Sequence, residues 1–181
     1  MNREASAAAV NIRYLEQGIE LIRRLDDDLY ADCPVNPFPG GVGAQFRHCI
    51  DFYDCFLAAL AQDRIDYSER SRDARLESDR RFAEQKLREL IDALSALDVA
   101  AAERELLVRS EESADGNAPL GWSRSTVQRE LEFLVSHTIH HYALIVILLH
   151  VNGFEVPEDL KGFGVAPSTL RHWRNSGPVA R

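Results

Sequence analysis

Residues 125–150 read STVQRELEFLVSHTIHHYALIVILLH, and this stretch decides the class of fold that we expect. Its apolar residues recur at helical spacing on one side, among them Leu134, Leu144 and Leu148. The first four residues, STVQ, resemble a capping box, and the Asn-Gly pair at 152–153 is typical of a helix end. The pattern therefore predicts a long amphipathic helix that ends near His150.

Two histidines of this helix, His137 and His141, lie one turn apart on the face that carries the leucines. Burying two imidazoles without partners costs a few kcal/mol each, by order of magnitude. A shared cation explains the pair, because neutral imidazole is a good ligand for zinc, nickel, copper or iron. Two alternatives without a metal fit the same spacing: ordinary hydrogen bonds of the two histidines, or their placement at a helix–helix interface. The zincin motif is excluded, because Thr138 stands where that motif needs glutamate.

Three further helices are predicted from their apolar periodicity, over about residues 5–30, 42–62 and 79–98. The first ends in CPVNPFPGG at 33–41, where three prolines and two glycines cannot continue a helix. Four helices, with a long break between the third and the fourth, indicate an all-α four-helix bundle. We expect one domain over 1–181, with its core over about 5–160 and a tail over 157–181.

The two connections around the third predicted helix differ in character. Residues 64–81 are highly charged and predict an exposed connection or the solvated start of a helix. Residues 105–122 contain Leu106, Leu107 and Val108 before Asp115-Gly116, a pattern that suggests a short hairpin.

His48 in the second predicted helix is the best candidate for a third metal ligand, since no other histidine precedes residue 137. It lies opposite the stripe of Phe46, Ile50 and Tyr53, on a side whose other residues are small or polar: Ala44, Asp51, Cys55 and Ala59. That side lines a cavity inside the bundle or forms a subunit interface, and a purely structural role for His48 remains open. Asp51, one turn later, either orients His48 or accepts a proton near the metal, or it is a solvated carboxylate.

Composition limits the partners and the location. The 181 residues carry a formal net charge of −8 without any block rich in Lys or Arg, which disfavours nucleic acid and anionic membranes as partners. The first ten residues lack the apolar core of a signal peptide, and the longest apolar run is too short to span a membrane. Three cysteines without CxxC spacing indicate reduced thiols. We therefore expect a cytoplasmic protein.

Two stretches, GVGAQFRHCIDFYDCFL at 41–57 and ELEFLVSHTIHHYALIVILLHVNGFEVP at 130–157, resemble the DinB-like (YfiT-like) superfamily. The resemblance spans about residues 5–160 and implies a four-helix bundle with a three-histidine metal site. His48, His137 and His141 fall on the ligand positions one by one, and His140-His141 reproduces a double histidine common in the family. The family name reflects induction by DNA damage and implies no polymerase.

The resemblance also limits the function to a few hypotheses. Three histidines leave a coordination position open, which is the arrangement of a catalytic site. The first hypothesis is a hydrolase that acts through a metal-bound water on a small-molecule substrate. The alternatives are a transferase that uses a low-molecular-weight thiol and a non-catalytic metal-binding homodimer. Zinc and nickel fit three imidazoles almost equally well.

Overall fold

Four long helices form the body of the computed structural model, which describes residues 6–36, 40–98, 102–110 and 121–176. These helices are α1 (Ala7–Ile22), α3 (Val42–Ala59), α5 (Arg80–Ser95) and α6 (Val127–Val151). Three shorter helices accompany them: α2 (Asp27–Ala31), α4 (Arg75–Ser78) and α7 (Pro167–Ser176). The described residues also form three single-turn 3-10 helices (Leu60–Gln62, Tyr67–Glu69 and Glu158–Leu160) and three short strands: β1 (Arg64–Asp66), β2 (Glu105–Arg109) and β3 (Ser123–Thr126). The predicted all-α class is confirmed.

The long helices form a four-membered ring of contacts around one apolar core. Helices α1 and α3 each pack against both α5 and α6. The largest side chains that this packing buries completely are aromatic: Tyr30, Phe46, Tyr53, Phe56 and Tyr142. Leucines and isoleucines from all four helices fill the space between these rings.

A buried polar network joins three of the helices at the centre of this core. The Tyr53 hydroxyl donates to Oδ1 of Asn11 at 2.6 Å and lies 3.1 Å from Oγ1 of Thr138. The Asn11 amide in turn donates to the carbonyl of Leu131 at 3.0 Å. The network therefore fixes α1, α3 and α6 against one another at the level of Thr138.

The predicted first helix, 5–30, is wrong in its length, because α1 ends at Ile22 and a separate helix, α2, begins at Asp27. Asp26 caps α2 by accepting a hydrogen bond from the Leu29 amide at 2.7 Å. Leu25 and Leu29 keep the apolar spacing across this break, which is why periodicity alone joins the two helices.

The start of α6 also differs from the prediction by one residue. Thr126, rather than Ser125, is the N-cap, and its hydroxyl accepts a hydrogen bond from the Arg129 amide at 3.2 Å. The Ser125 hydroxyl instead donates to Glu130. The end of the helix is as expected, since Gly153 adopts a positive φ of 79° directly after Asn152.

Residues 64–81, predicted as an exposed connection or the solvated start of a helix, are exposed at about half of their positions, and α5 begins at Arg80, but the stretch also contains buried, regular structure. Strand β1 pairs in parallel with β2, and β2 pairs with β3 in antiparallel orientation, so that the stretch begins in a small sheet. Several of its side chains are buried, namely Ile65, Asp66, Tyr67, Arg70 and Leu76. The suggested hairpin is present as the β2–β3 pair, and its Asp115-Gly116 turn lies outside the described residues.

Helix α6 is long and apolar enough to cross a membrane by length and composition alone, as the core helices of soluble proteins also are. In this fold it packs against α1 and α3. Phe163, from the segment after α6, stacks on Tyr142 with ring centroids 4.1 Å apart. The segment that follows α6 therefore covers part of the helix surface.

Candidate metal centre

Helices α3 and α6 bring the three predicted histidines together. Nε2 of His48 lies 3.2 Å from Nε2 of His137, and one nitrogen from each of the three rings lies within 4.8 Å of the others. The ring centroids of His48 and His141 are 4.4 Å apart, and those of His137 and His141 are 4.5 Å apart. All three side chains are half-buried, so the cluster remains in reach of solvent.

The geometry of this cluster fits a divalent metal ion. Two nitrogens bound to one tetrahedral zinc at 2.0–2.1 Å are about 3.3 Å apart, close to the separation of the His48 and His137 Nε2 atoms. Burial lowers the pKa of His141 to about 3, with smaller contributions from His137, His48 and His140. His141 is therefore neutral at physiological pH, which is the form that binds a metal.

The chain presents a further polar group to the cluster, Gln45, which the sequence analysis missed. Its Oε1 lies 2.7 Å from Nδ1 of His141, and the side chain is buried. Gln45 precedes His48 by three residues, so the two share a face of α3. This spacing is the signal that could have indicated Gln45 as a neighbour of the site.

Aromatic rings form one wall of the site. The Phe52 ring lies 4.1 Å from the His137 ring and 5.0 Å from the His48 ring, measured between centroids. Phe133 lies 5.5 Å from His137, and Tyr67 packs against both phenylalanines. An apolar wall of this kind keeps water away from one side of the histidines and strengthens electrostatic interactions beside it.

Comparison with known proteins supports the same assignment. The sequence profile of the DinB superfamily matches residues 16–145, well over half of the chain and including all three histidines. The chain belongs to the DinB superfamily. Members of this superfamily bind metal, and a cluster of three histidines that could hold an ion agrees with that property.

One curated protein is similar to a part of this DinB-superfamily chain. It is the FK506-binding protein 5 of Rhizopus delemar, 29% identical over 108 residues, which are 60% of this chain and 27% of that protein. The chain therefore matches little more than a quarter of the length of its curated relative. No solved structure matches the chain.

Asp51, the predicted catalytic group of this DinB site, lies one turn after His48 and is 1% exposed. Its two oxygens accept hydrogen bonds from Arg47 at 3.1 Å and from Ser71 at 3.2 Å. Burial raises the pKa of Asp51, and the Arg47 guanidinium opposes that rise. The carboxylate is thus held by its neighbours, and it is not a solvated helix residue.

A second buried carboxylate, Glu130, stands behind the aromatic wall. The Tyr67 hydroxyl donates to one of its oxygens at 2.9 Å and the Ser125 hydroxyl to the other at 2.5 Å. Glu130 precedes His137 by seven residues, about two helical turns, which is too far for the two to share a metal ion on a straight helix. These contacts indicate a structural role for Glu130, because its hydrogen bond with the Tyr67 hydroxyl holds the Tyr67 ring against Phe52.

The remaining candidates of this DinB chain lie outside the cluster. His140 is exposed, and its ring meets that of His141 edge-on at 5.1 Å. Burial raises the pKa of the Cys49 thiol and brings that of Cys55 to about 11, so both are protonated at neutral pH. The Cys55 thiol donates to the carbonyl of Asp66 at 3.2 Å, so β1 covers this part of the small-residue side of α3.

Proposed function

We propose that this chain binds one divalent metal ion, zinc or nickel, through His48, His137 and His141 and uses it to hydrolyse a small-molecule substrate. The observation that carries the proposal is the convergence of three imidazoles with the 3.2 Å separation between Nε2 of His48 and Nε2 of His137. Three ligands leave a position for a small molecule, as catalytic sites do and closed structural sites do not.

A divalent cation bound there would act as a Lewis acid and lower the pKa of a water or thiol that it coordinates. The chain's own residues supply the surroundings. Phe52 and Phe133 exclude water on the side of His137, and the buried amide of Gln45 holds His141 in place. In a hydrolase, Asp51 would take up the proton, and its burial, which raises its pKa, would make it a stronger base.

A second candidate, a metal-dependent transferase that uses a low-molecular-weight thiol, is favoured by the contacts of Asp51. Both of its oxygens are already engaged by Arg47 and Ser71, which weakens its availability as a base. A thiol ionises on a metal more readily than water does, because its pKa is far lower, so this reaction depends less on a protein base.

The location and the assembly are proposed with the function. We propose a cytoplasmic protein that forms homodimers, with no nucleic-acid or membrane partner, in line with the net charge of −8. Because β1 covers Cys55 on the small-residue side of α3, a dimer contact on that side would have to use its remaining residues. Light scattering after size exclusion measures the dimer directly.

The test begins with elemental analysis of the purified protein and then compares reactions. Metal-loaded protein is incubated with p-nitrophenyl esters, and separately with glutathione or cysteine and monochlorobimane. Metal-dependent ester cleavage supports the hydrolase, and metal-dependent conjugation supports the transferase. His141→Ala should lose the metal and whichever of the two activities the wild-type protein shows. His140→Ala, the matched control at the exposed neighbouring histidine, should keep the metal and that activity.

Two results would overturn parts of this proposal. An unchanged metal content in His141→Ala rules out the three-histidine site. A stoichiometric metal that raises the melting temperature, without binding of water-displacing ligands such as azide or thiols, indicates a structural ion and a non-catalytic protein.

A further inference from the structure

We propose that Gln45 is a positioning residue that selects the metal-binding tautomer of His141, an inference that rests on the proposed metal site. A neutral imidazole carries one proton, on Nδ1 or on Nε2, and the other nitrogen is the ligand. Oε1 of Gln45, 2.7 Å from Nδ1 of His141, can only accept a hydrogen bond. The proton therefore resides on Nδ1, which leaves the lone pair on Nε2 for the metal.

The position of Gln45 in the fold supports this role. Gln45 is buried, so water competes little for its hydrogen bond. It belongs to α3, whereas His141 belongs to α6, so this single bond ties a ligand of one helix to the helix that carries His48. Rotation of the His141 ring away from the cluster would leave the buried carbonyl of Gln45 without this donor, which costs free energy.

The neutral amide of Gln45 also affects how strongly His141 donates electrons to the metal. A carboxylate in this place would make His141 a stronger donor, because partial transfer of the Nδ1 proton raises the basicity of Nε2. The amide of Gln45 is neutral and has a weaker effect of this kind. The chain thus orients His141 while leaving more of the positive charge on the metal for its open position.

Two substitutions at this residue separate orientation from packing. Gln45→Met keeps the length and the helix propensity but removes the acceptor, and Gln45→Glu restores an acceptor. The first readout is long-range ¹⁵N–¹H NMR of the metal-free protein, which reports the tautomer of the His141 ring. The second is zinc affinity, measured by competition with a chromophoric chelator.

We expect wild-type His141 to carry its proton on Nδ1. In Gln45→Met both tautomers should be populated and zinc should bind about 10- to 100-fold more weakly. In Gln45→Glu the Nδ1 proton should be retained and zinc should bind at least as tightly as in wild type. A merely structural Gln45 would change the melting temperature of the metal-free protein without changing the tautomer.

The outcomes separate this inference from the proposed function. A proton on Nε2 of His141 in the wild type overturns the inference even if Gln45→Met does not fold. Unchanged zinc affinity in a folded Gln45→Met protein also overturns it. Failure of the wild-type protein to bind zinc or nickel, with the Nδ1 proton in place, overturns the proposed function and leaves the Gln45–His141 contact established.

Discussion

Nε2 of His48 and Nε2 of His137 lie 3.2 Å apart, although the first belongs to α3 and the second to α6. Two neutral imidazoles that point their lone pairs at each other at this distance repel, unless one carries a proton or a cation lies between them. A hydrogen bond from one ring to the other gives this distance in the absence of a metal, and a metal ion bound by both Nε2 atoms would give a similar one.

The first prediction concerns the metal and stability. We expect a chelator to lower the melting temperature of the wild-type protein, because a ligand at 100 times its Kd stabilises the folded state by about 2.7 kcal/mol. His48→Ala should lose this response in differential scanning calorimetry. His150→Ala is the control, since His150 is exposed and pairs with Glu155 at 2.7 Å. A chelator effect of equal size in His48→Ala would contradict the assignment of His48.

The second prediction concerns the buried polar network. Tyr53→Phe removes the hydroxyl that joins Asn11 to Thr138 and leaves Oδ1 of Asn11 buried without this donor. We expect the free energy of unfolding in urea to fall by about 1–3 kcal/mol. Tyr14→Phe serves as the control, because its ring is also buried but its hydroxyl takes no part in the network. Equal losses in the two variants would indicate a general effect of removing a hydroxyl.

The third prediction concerns the close approach of α3 to α4. A Cβ added at Gly43 would clash with the carbonyl oxygen of Glu77, which is backbone and cannot swing aside. We expect Gly43→Ala to destabilise the protein by about 1–3 kcal/mol or more, as overpacking does. Gly121→Ala meets nothing within 4 Å and should stay within about 0.5 kcal/mol of wild type. The measurement is urea unfolding followed by circular dichroism.

The fourth prediction concerns pH. A hydrogen bond from the Arg109 guanidinium lowers the pKa of Asp66, with Ser68 adding to the effect. The unfolded chain then binds a proton at Asp66 more readily than the folded chain does, so this contribution to stability is present above pH 4 and is lost as the pH falls further. The difference in unfolding free energy between wild type and Asp66→Asn should therefore shrink below pH 4, by at most about 1.4 kcal/mol per pH unit. A constant difference from pH 7 to pH 3 would exclude the ion pair as its source.

The four long helices could be predicted from the sequence because their apolar residues recur every three or four positions. This periodicity matches the turn of an α-helix and depends only on residues that are close in sequence. It also placed His137 and His141 on one face of α6. The orientation of His48 could not be settled in the same way, because both sides of α3 are buried. Ile50 belongs to the apolar core, whereas Phe52 lies against the His48 ring. His48 was the best candidate for the third ligand because no other histidine precedes residue 137, and the resemblance to the DinB family strengthened that prediction.

The rest of the site depends on pairings between distant residues. Strand β1 has three residues and pairs with β2 some forty positions later, so no local pattern distinguishes Arg64–Asp66 from a charged loop. The burial of Tyr67 follows from that pairing and from its bond to Glu130, a residue on another helix. Gln45 is a similar case, since its part in the site is defined by His141, 96 positions away.

His137 and Thr138 are adjacent in α6, and they point to different parts of the molecule: His137 to the cluster of histidines, Thr138 to Tyr53 in the core. A rotation of α6 about its axis would therefore move both side chains at once. The position of the histidines is thus coupled to the packing of the core. Transferring these histidines to another bundle would require the buried polar network of Asn11, Tyr53 and Thr138 as well. This network fixes the rotation of α6, and that rotation sets the direction in which the His137 side chain points toward the cluster.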